Sequence, residues 1–286
     1  MTDRDISVRK LVFTDVLKRF CTTKDDSGNV AIGPTHPRAL TISQRELVVK
    51  IGLGDREPSV RAVAATLIAT WVDAIELKDE NTDDSIGEIE KKKVLKFLEL
   101  FDLGGERYAV KANEKFAENA LLSLFTTRPV LFDKISFEGG VLVLCVFLNH
   151  YLTFNIIEDY WKQLTVEKTF LARVFVQYCK EKQDETRLEA SIPVVTCIAF
   201  RIESIYNDLV EVHTELRKED IDESEYARKD DERLLKESII SELLKMAADL
   251  DYADEIGRRK VFQLVRMCLS SLFIVEATNL SSIDFR

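Results

Sequence analysis

The stretch Gly54-Asp55-Arg56-Glu57-Pro58-Ser59-Val60-Arg61-Ala62-Val63-Ala64-Ala65-Thr66-Leu67-Ile68-Ala69-Thr70-Trp71 decides the fold. It reads as a tight turn feeding one amphipathic helix. Pro58 suits the first helical turn, where its missing N–H costs nothing. Val60, Val63, Ala64, Leu67, Ile68 and Trp71 then recur at steps of three and four, so they share one face. Arg61 lies beside that face. An Asp-bearing turn, a Val-Arg pair and an apolar-striped helix make the second half of a HEAT repeat, in which two antiparallel helices pack as one unit.

The same phrase stands 52 residues earlier, as Asp3-Arg4-Asp5-Ile6-Ser7-Val8-Arg9. Val8, Leu11, Val12 and Phe20 continue its stripe. A weaker echo is Asp254-Glu255-Ile256-Gly257-Arg258, followed by Val261, Leu264, Val265 and Leu272. HEAT units run about 40–47 residues, so the offset implies a unit with a long loop. Cys21 to Pro37, rich in Gly, Pro, Asp and Thr, supplies it. The chain opens on half a repeat. A fragment or truncated gene model is therefore expected, with a missing neighbour that covers the first helix.

Outward from this core, Ile42 to Leu53 reads as the partner helix. Ser43 and Glu46 offer a capping box there, and Ile42 with Leu47 a hydrophobic staple. Ser85 and Glu88 start the next helix, striped by Val94, Phe97, Leu98 and Phe101 and ended at Gly104-Gly105. Tyr108 to Phe125 carries Ala117, Ala120, Leu121 and Leu124 in register, and Pro129 stops it. Thr165 to Lys180 is striped by Leu171, Val174, Phe175 and Tyr178. Leu188 to Leu216 is a long helix or a pair broken near Pro193, with Val195, Ala199, Ile202, Tyr206 and Leu209 on one face. Arg217 to Asp231 is charge-dense without a stripe and reads as a solvated acidic loop. Leu235, Ile239, Leu243, Met246 and Leu250 form a further helix. The expectation is an all-α HEAT-repeat α-solenoid, a superhelical stack of antiparallel helix pairs. It forms a single array over 1–286, with no sheet of consequence.

Gly139 to Ile157 departs from this pattern, because it holds no Lys, Arg, Asp or Glu. Its length raises the question of a membrane span, which starts near 18 apolar residues. Asn149, His150, Thr153 and Asn155 break the run, and no basic cluster flanks it closely. A buried helix or strand-like insertion is expected instead, with 139–155 foreign to the native protein as a further reading.

Composition bounds the function. Of 286 residues, 46% are hydrophobic, enough for a sizeable core and too many for a disordered chain. Ten Gly and five Pro are too few for an all-β fold. The net charge of −10 argues against indiscriminate nucleic-acid binding by the whole chain. The five cysteines, Cys21, Cys145, Cys179, Cys197 and Cys268, form no C-x-x-C pair and mostly sit in apolar runs, so they read as buried thiols. Met1 to Lys10 is mostly polar, which is not the pattern of a secretory signal.

Catalytic and metal motifs are missing. His36, His150 and His213 have no metal-ligand spacing among themselves or with cysteine. His213, between Glu211 and Glu215, reads as a surface helix residue. Gly52-Leu53-Gly54 follows a helix and lacks the residues of a phosphate loop. No G-x-S-x-G occurs. Asp83-Asp84 and Asp230-Asp231 read as solvated surface. No cofactor or metal is expected.

Asp3, Arg9, Asp55 and Arg61 read as structural repeat residues: the turn Asp caps the helix and the Arg bridges to a neighbouring repeat. Residues 1–72 carry about three more basic than acidic side chains, and residues 181–233 about eight more acidic ones. Only the first third is therefore suited to face nucleic acid. Lys10, Lys18, Arg19, Arg45, Lys50 and Arg56 are the DNA-contact candidates, with Arg4 and Arg38 beside them. An ordinary solvated helix face explains the same residues.

Leu53 to Arg61, the upstream Ile42-Ser43-Gln44-Arg45-Glu46, Phe170-Leu171-Ala172-Arg173-Val174-Phe175 and the run Leu250 to Lys260 together resemble condensin subunit 3. This is the family of HEAT-repeat G subunits, and the fungal form fits best. Arg187-Leu188-Glu189, Pro193-Val194-Val195-Thr196 and Thr127-Arg128-Pro129 fit it as well. The resemblance implies a non-catalytic scaffold that binds the kleisin subunit and, through it, the SMC ATPase subunits. It implies double-stranded DNA held by the complex for mitotic chromosome condensation, in the nucleus and on condensed chromosomes with a cytoplasmic pool allowed, and no membrane. It covers a middle-to-late part of a longer subunit, and Gly139 to Asn155 has no counterpart in it. The other reading is a HEAT-type adaptor or scaffold of another complex, serving nuclear transport or a phosphatase. An enzyme on a helical scaffold is disfavoured by the missing motifs.

Overall fold

The computed structural model describes residues 1–24, 30–77, 86–104, 110–129, 132, 137, 159–193, 195–218, 221–250, 255 and 257–266. The fold is all-α, built of HEAT-type helices as the stripes require. It gathers into two compact units, Met1–Ile135 with Val166–Val174, and Ser136–Thr165 with Phe175–Arg286.

In the first unit, α1 (Ile6–Leu11) runs on into a π-helical stretch, Val12–Lys18. A two-stranded hairpin follows inside the expected loop. Its strands, β1 (Thr22–Lys24) and β2 (Val30–Ile32), pair antiparallel with Thr23 opposite Ala31. Then come α2 (Ile42–Leu53), α3 (Pro58–Asp73), α4 (Ile86–Leu98) with a 3₁₀ turn over Glu99–Phe101, and α5 (Val110–Thr127). α3 is the centre, packed by α1, the π stretch, α2, α4 and α5. Its Val60, Ala64, Leu67, Ile68 and Trp71 are buried as the stripe predicts. Ala117, Ala120, Leu121 and Leu124 of α5 are buried as well.

Three expectations fail in this unit. The capping box of α2 is Thr41 with Gln44: the Gln44 N–H donates to Thr41 Oγ1 (3.3 Å), and the Thr41 N–H to Gln44 Oε1 (2.9 Å). Ser43 and Glu46 already lie inside the helix, and Leu47 is exposed rather than stapled. T-x-x-Q satisfies the same geometry two residues earlier. The 3₁₀ turn is followed by Asp102 in the left-handed region (φ 51°), ahead of the expected glycines. Along α1, Val8, Leu11 and Phe20 are exposed, whereas Phe13 is buried. Phe13 fits against Gly52, where an added Cβ would stand 2.8 Å from its ring.

The second unit holds α6 (Asp159–Lys162), the later half of α7 (Val166–Lys182), α8 (Glu185–Ser191), α9 (Val195–Leu216) and α10 (Glu223–Ala247), with a further helix over 257–266. Leu188 to Leu216 is thus a broken pair, parted at Pro193 because the residue before proline disfavours helix. Val195, Ala199, Ile202 and Leu209 are buried; Tyr206 is half-buried, and Ile205 and Val212 complete the face. Ion pairs Lys229–Glu215 (2.6 Å) and Lys236–Asp208 (3.7 Å) show α9 and α10 running antiparallel.

The acidic loop expected over 217–231 is corrected from Glu223 onward, where the chain is helix. Asp222 caps it, accepting the N–H of Ser224 (2.6 Å) and of Glu225 (3.0 Å). Pairs one turn apart, Lys229–Glu232 (3.2 Å) and Arg233–Asp230 (2.7 Å), supply the support that no apolar stripe provides. Ser85, the 139–155 segment, and Asp254 and Ile256 of the late echo lie outside the described residues. Among the described residues no helix is long and apolar enough to cross a membrane.

Candidate partner and nucleic-acid surface

The two copies of the opening phrase fold alike. Asp3 Oδ1 accepts the Asp5 N–H (2.8 Å), and Asp55 Oδ1 accepts the Glu57 N–H (2.8 Å). Each carboxylate therefore closes its turn on the residue that precedes the helix, rather than capping the helix itself. The arginines repeat as well. Arg9 Nη1 donates to the carbonyls of Asp3 (2.8 Å) and Arg4 (3.1 Å); Arg61 Nη1 donates to those of Asp55 (2.8 Å) and Arg56 (3.0 Å).

One further bond joins the copies. Arg9 Nε reaches Asp55 Oδ2 (2.7 Å) and its Nη2 reaches Oδ1 (3.1 Å), a bidentate pair between turns. Both side chains are buried. The hydrogen bond from Arg9, then that from the Glu57 N–H, holds the Asp55 carboxyl below its ordinary range. The same bond raises the Arg9 guanidinium.

The far ends of α1 and α3 are joined by the strap 33–40. Thr35 Oγ1 donates to Leu17 O (2.7 Å), and Trp71 Nε1 donates to Thr35 O (3.1 Å). The buried His36 accepts the Arg38 N–H at Nδ1 (3.1 Å), so its proton sits on Nε2, which donates to Ala74 O (3.1 Å).

The DNA-contact candidates divide across this frame. Arg45 is withdrawn from solvent: its guanidinium donates to the carbonyls of Pro37, Leu40 and Leu100, and burial lowers its pKa. It fastens the strap to α2 and to the 3₁₀ turn after α4, and is corrected from contact residue to structural one. Lys18, Arg19, Lys50 and Arg56 are exposed, and Lys10 is half-buried. They do not form one cluster. Arg4, Lys50 and Arg56 lie at the Asp-turn edge, whereas Lys18 and Arg19 end the helical run from Ile6, roughly 20 Å away at 1.5 Å per residue.

Two arginine fasteners escaped the sequence reading. Arg128 donates to Ala69 O (3.0 Å), pairs with Asp73 and stands 3.7 Å from Glu90, so α3, α4 and the end of α5 meet on it. Arg173 pairs with Glu118 (3.1 Å) and covers the Phe170 ring at 4.9 Å. An arginine just past a helix end, as in Thr127-Arg128-Pro129, was the available signal.

Reactive chemistry finds little purchase. Burial pushes the Cys21 thiol up to about 11, Cys179 to about 12 and Cys197 to about 11, which keeps all three protonated. His213 stands 3.9 Å from Glu237, and burial lowers its pKa. Among the described residues no His, Cys, Asp and Glu group is placed to hold a metal ion.

No protein-family model matches the chain. Condensin complex subunit 3 of Schizosaccharomyces pombe is 28% identical over 241 residues, 84% of this chain and 21% of that protein. The Saccharomyces cerevisiae protein of the same name is 27% identical over 276 residues, 96% of this chain and 21% of its own length. The chain thus spans about a fifth of the curated relatives it matches. Among solved structures, the crystal structure of the S. pombe condensin Cnd3-Cnd2 subcomplex covers 92% of this chain and 26% of that chain, with a TM-score of 0.62 at 25% identity. The resemblance to condensin subunit 3 read from Leu53 to Arg61 and the later phrases stands.

Proposed function

We propose that this chain is a non-catalytic HEAT-repeat scaffold segment of condensin. It binds the kleisin subunit, is joined through it to the SMC ATPase subunits, and helps hold double-stranded DNA on condensing chromosomes in the nucleus. The likeness to the condensin subcomplex over 92% of the chain carries this reading. Stacked helix pairs offer a long surface suited to an extended partner chain. Lys10, Lys18, Arg19, Lys50 and Arg56 are the cations left to meet phosphate once Arg45 is assigned to the core.

Two measurements test the reading. Co-expression with the kleisin of the same organism should yield a complex that survives purification. Recovery of a transport cargo or a phosphatase in its place would turn the assignment to another scaffold. In the kleisin-bound state, a Lys18→Glu, Arg19→Glu, Lys50→Glu variant should flatten the salt dependence of DNA binding. The log–log slope should fall by about 0.9 for each phosphate that is no longer neutralised. Identical slopes would remove this surface from DNA contact. Binding should be indifferent to DNA sequence, because no motif offers side chains to base edges.

A further inference from the structure

Aligned by the 52-residue offset, α1 and its π stretch present the same register as α3, but not the same burial. Val8 is 43% exposed, whereas its equivalent Val60 is 0% exposed; Val16 is 43% against 1% for Ile68, and Phe20 is 46% against 0% for Val72. Leu11 is exposed too, opposite the half-buried Val63. Steps of four keep Val8, Val12, Val16 and Phe20 on one side of a run that is partly π-wound. α3 buries these positions because α2 and α1 pack on it. Asp3 shows the same asymmetry. Its carboxylate accepts the Asp5 N–H, as Asp55 accepts that of Glu57, but among the described residues no arginine closes on it.

We propose that Asp3 and the outer face of α1 form a seat for another helix pair of the same kind, with an apolar stripe on Val8, Leu11, Val16 and Phe20 and an arginine on Asp3. The occupant is identified by what the second copy already holds: a helix standing as α2 stands to α3, and a guanidinium placed as Arg9 is on Asp55. An arginine arriving at Asp3 leaves no charge unpaired in the contact. Kleisin binding is not needed for this seat.

The test inserts a copy of residues 3–54 between Thr2 and Asp3 of the full chain, which sets a second α2 ahead of Asp3 as α2 stands ahead of Asp55. Val16→Cys in the original copy is labelled with a maleimide and read by mass spectrometry of its own peptide. The insert should slow labelling at least tenfold. Asp3→Arg in the original copy should restore fast labelling, and Arg9→Asp in the inserted copy should slow it again. Unchanged labelling in a duplicated chain whose circular dichroism shows the added helix overturns the proposal. If the duplicated chain does not fold, a synthetic α2 peptide, residues 41–54, is added in trans to the Val16→Cys chain: protection supports the seat, and none at millimolar peptide overturns it. Protection of the unextended chain by its own dimerisation, or by the kleisin alone, assigns the face to another occupant and also overturns it.

Discussion

Arg9 and Arg61 occupy equivalent places in two copies of one phrase, yet among the described residues only Arg9 finds a carboxylate. Arg61 is exposed and holds the two backbone carbonyls of its own turn. The sequence announced both residues as repeat arginines through the Val-Arg spacing, but not which of them would be bridged. That depends on whether the next copy presents an aspartate in the same turn, a fact of stacking rather than spacing. Arg45 was hidden for a related reason. A cation in a basic stretch reads as surface until the strap of backbone carbonyls that captures it is known. The Asp55 pair has a pH signature. Its folded pKa is depressed, so its contribution is fully present above the unfolded value, about 3.9, and is lost as pH falls through the lower folded value. Asp55→Asn should therefore destabilise the chain at neutral pH, and the gap from wild type should close below about pH 4. Urea unfolding across pH measures it; a gap that stays constant down to about pH 2 would assign the loss to something other than the ionised pair.

At the scale of elements, period and burial agree wherever a helix has neighbours on its striped side. The stripes of α3 and α5 were legible residue by residue, because their apolar positions face other helices. The α1 stripe was legible in period but not in exposure. Ile68→Ala in α3 should cost about 2–5 kcal/mol, while Val16→Ala at the equivalent position of the π stretch should stay within about 0.5 kcal/mol. Thermal unfolding of the two variants decides it; comparable losses would mean that the Val16 side is covered in solution. The start of α10 was illegible from its stripe, since charged pairs and a cap hold it rather than a core. The signal was present in another form: Asp222-Glu223-Ser224-Glu225 is an N-terminal cap followed by acidic residues in the first turn. Asp222→Ala should cost about 1 kcal/mol and speed amide exchange over 223–231. Exchange there as fast in wild type as in the variant would show that this end is not held by its cap.

For the whole molecule, the all-α class followed from periodicity and from the scarcity of glycine and proline. The division into two units did not, because packing between helices is not written in any one stripe. The boundary falls beside the long uncharged segment, and its flanks bear on the proposal that 139–155 is a non-native insert. Trp161 Nε1 donates to Phe137 O (2.7 Å), and the Phe137 ring lies 5.2 Å from Tyr160 and 5.1 Å from Phe175. The two ends of the segment are thus already in contact through a buried aromatic cluster. Deleting 139–155 leaves Glu138 and Ile156 to Asp159 to close the gap, a connection of ordinary length. The shortened chain should keep its helix content and unfold at least as cooperatively as the parent. Loss of soluble protein on deletion, with mature message that retains these codons, would show the segment to be native and needed.

The frame formed by α1 and α3 also has a mechanical meaning. Two parallel rods fastened at one end pivot; fastened at both ends, they move only together. Arg9 on Asp55 is the rivet at one end, and the Thr35–His36 strap, tied to Leu17 and to Ala74, is the brace at the other. A pull that slides one rod along the other must break both fastenings at once, so the load passes through this pair without being absorbed. In an elastic array, such a braced pair is the stiff segment of the spring, and extension under tension is taken up by the segments that lack one of the two fastenings.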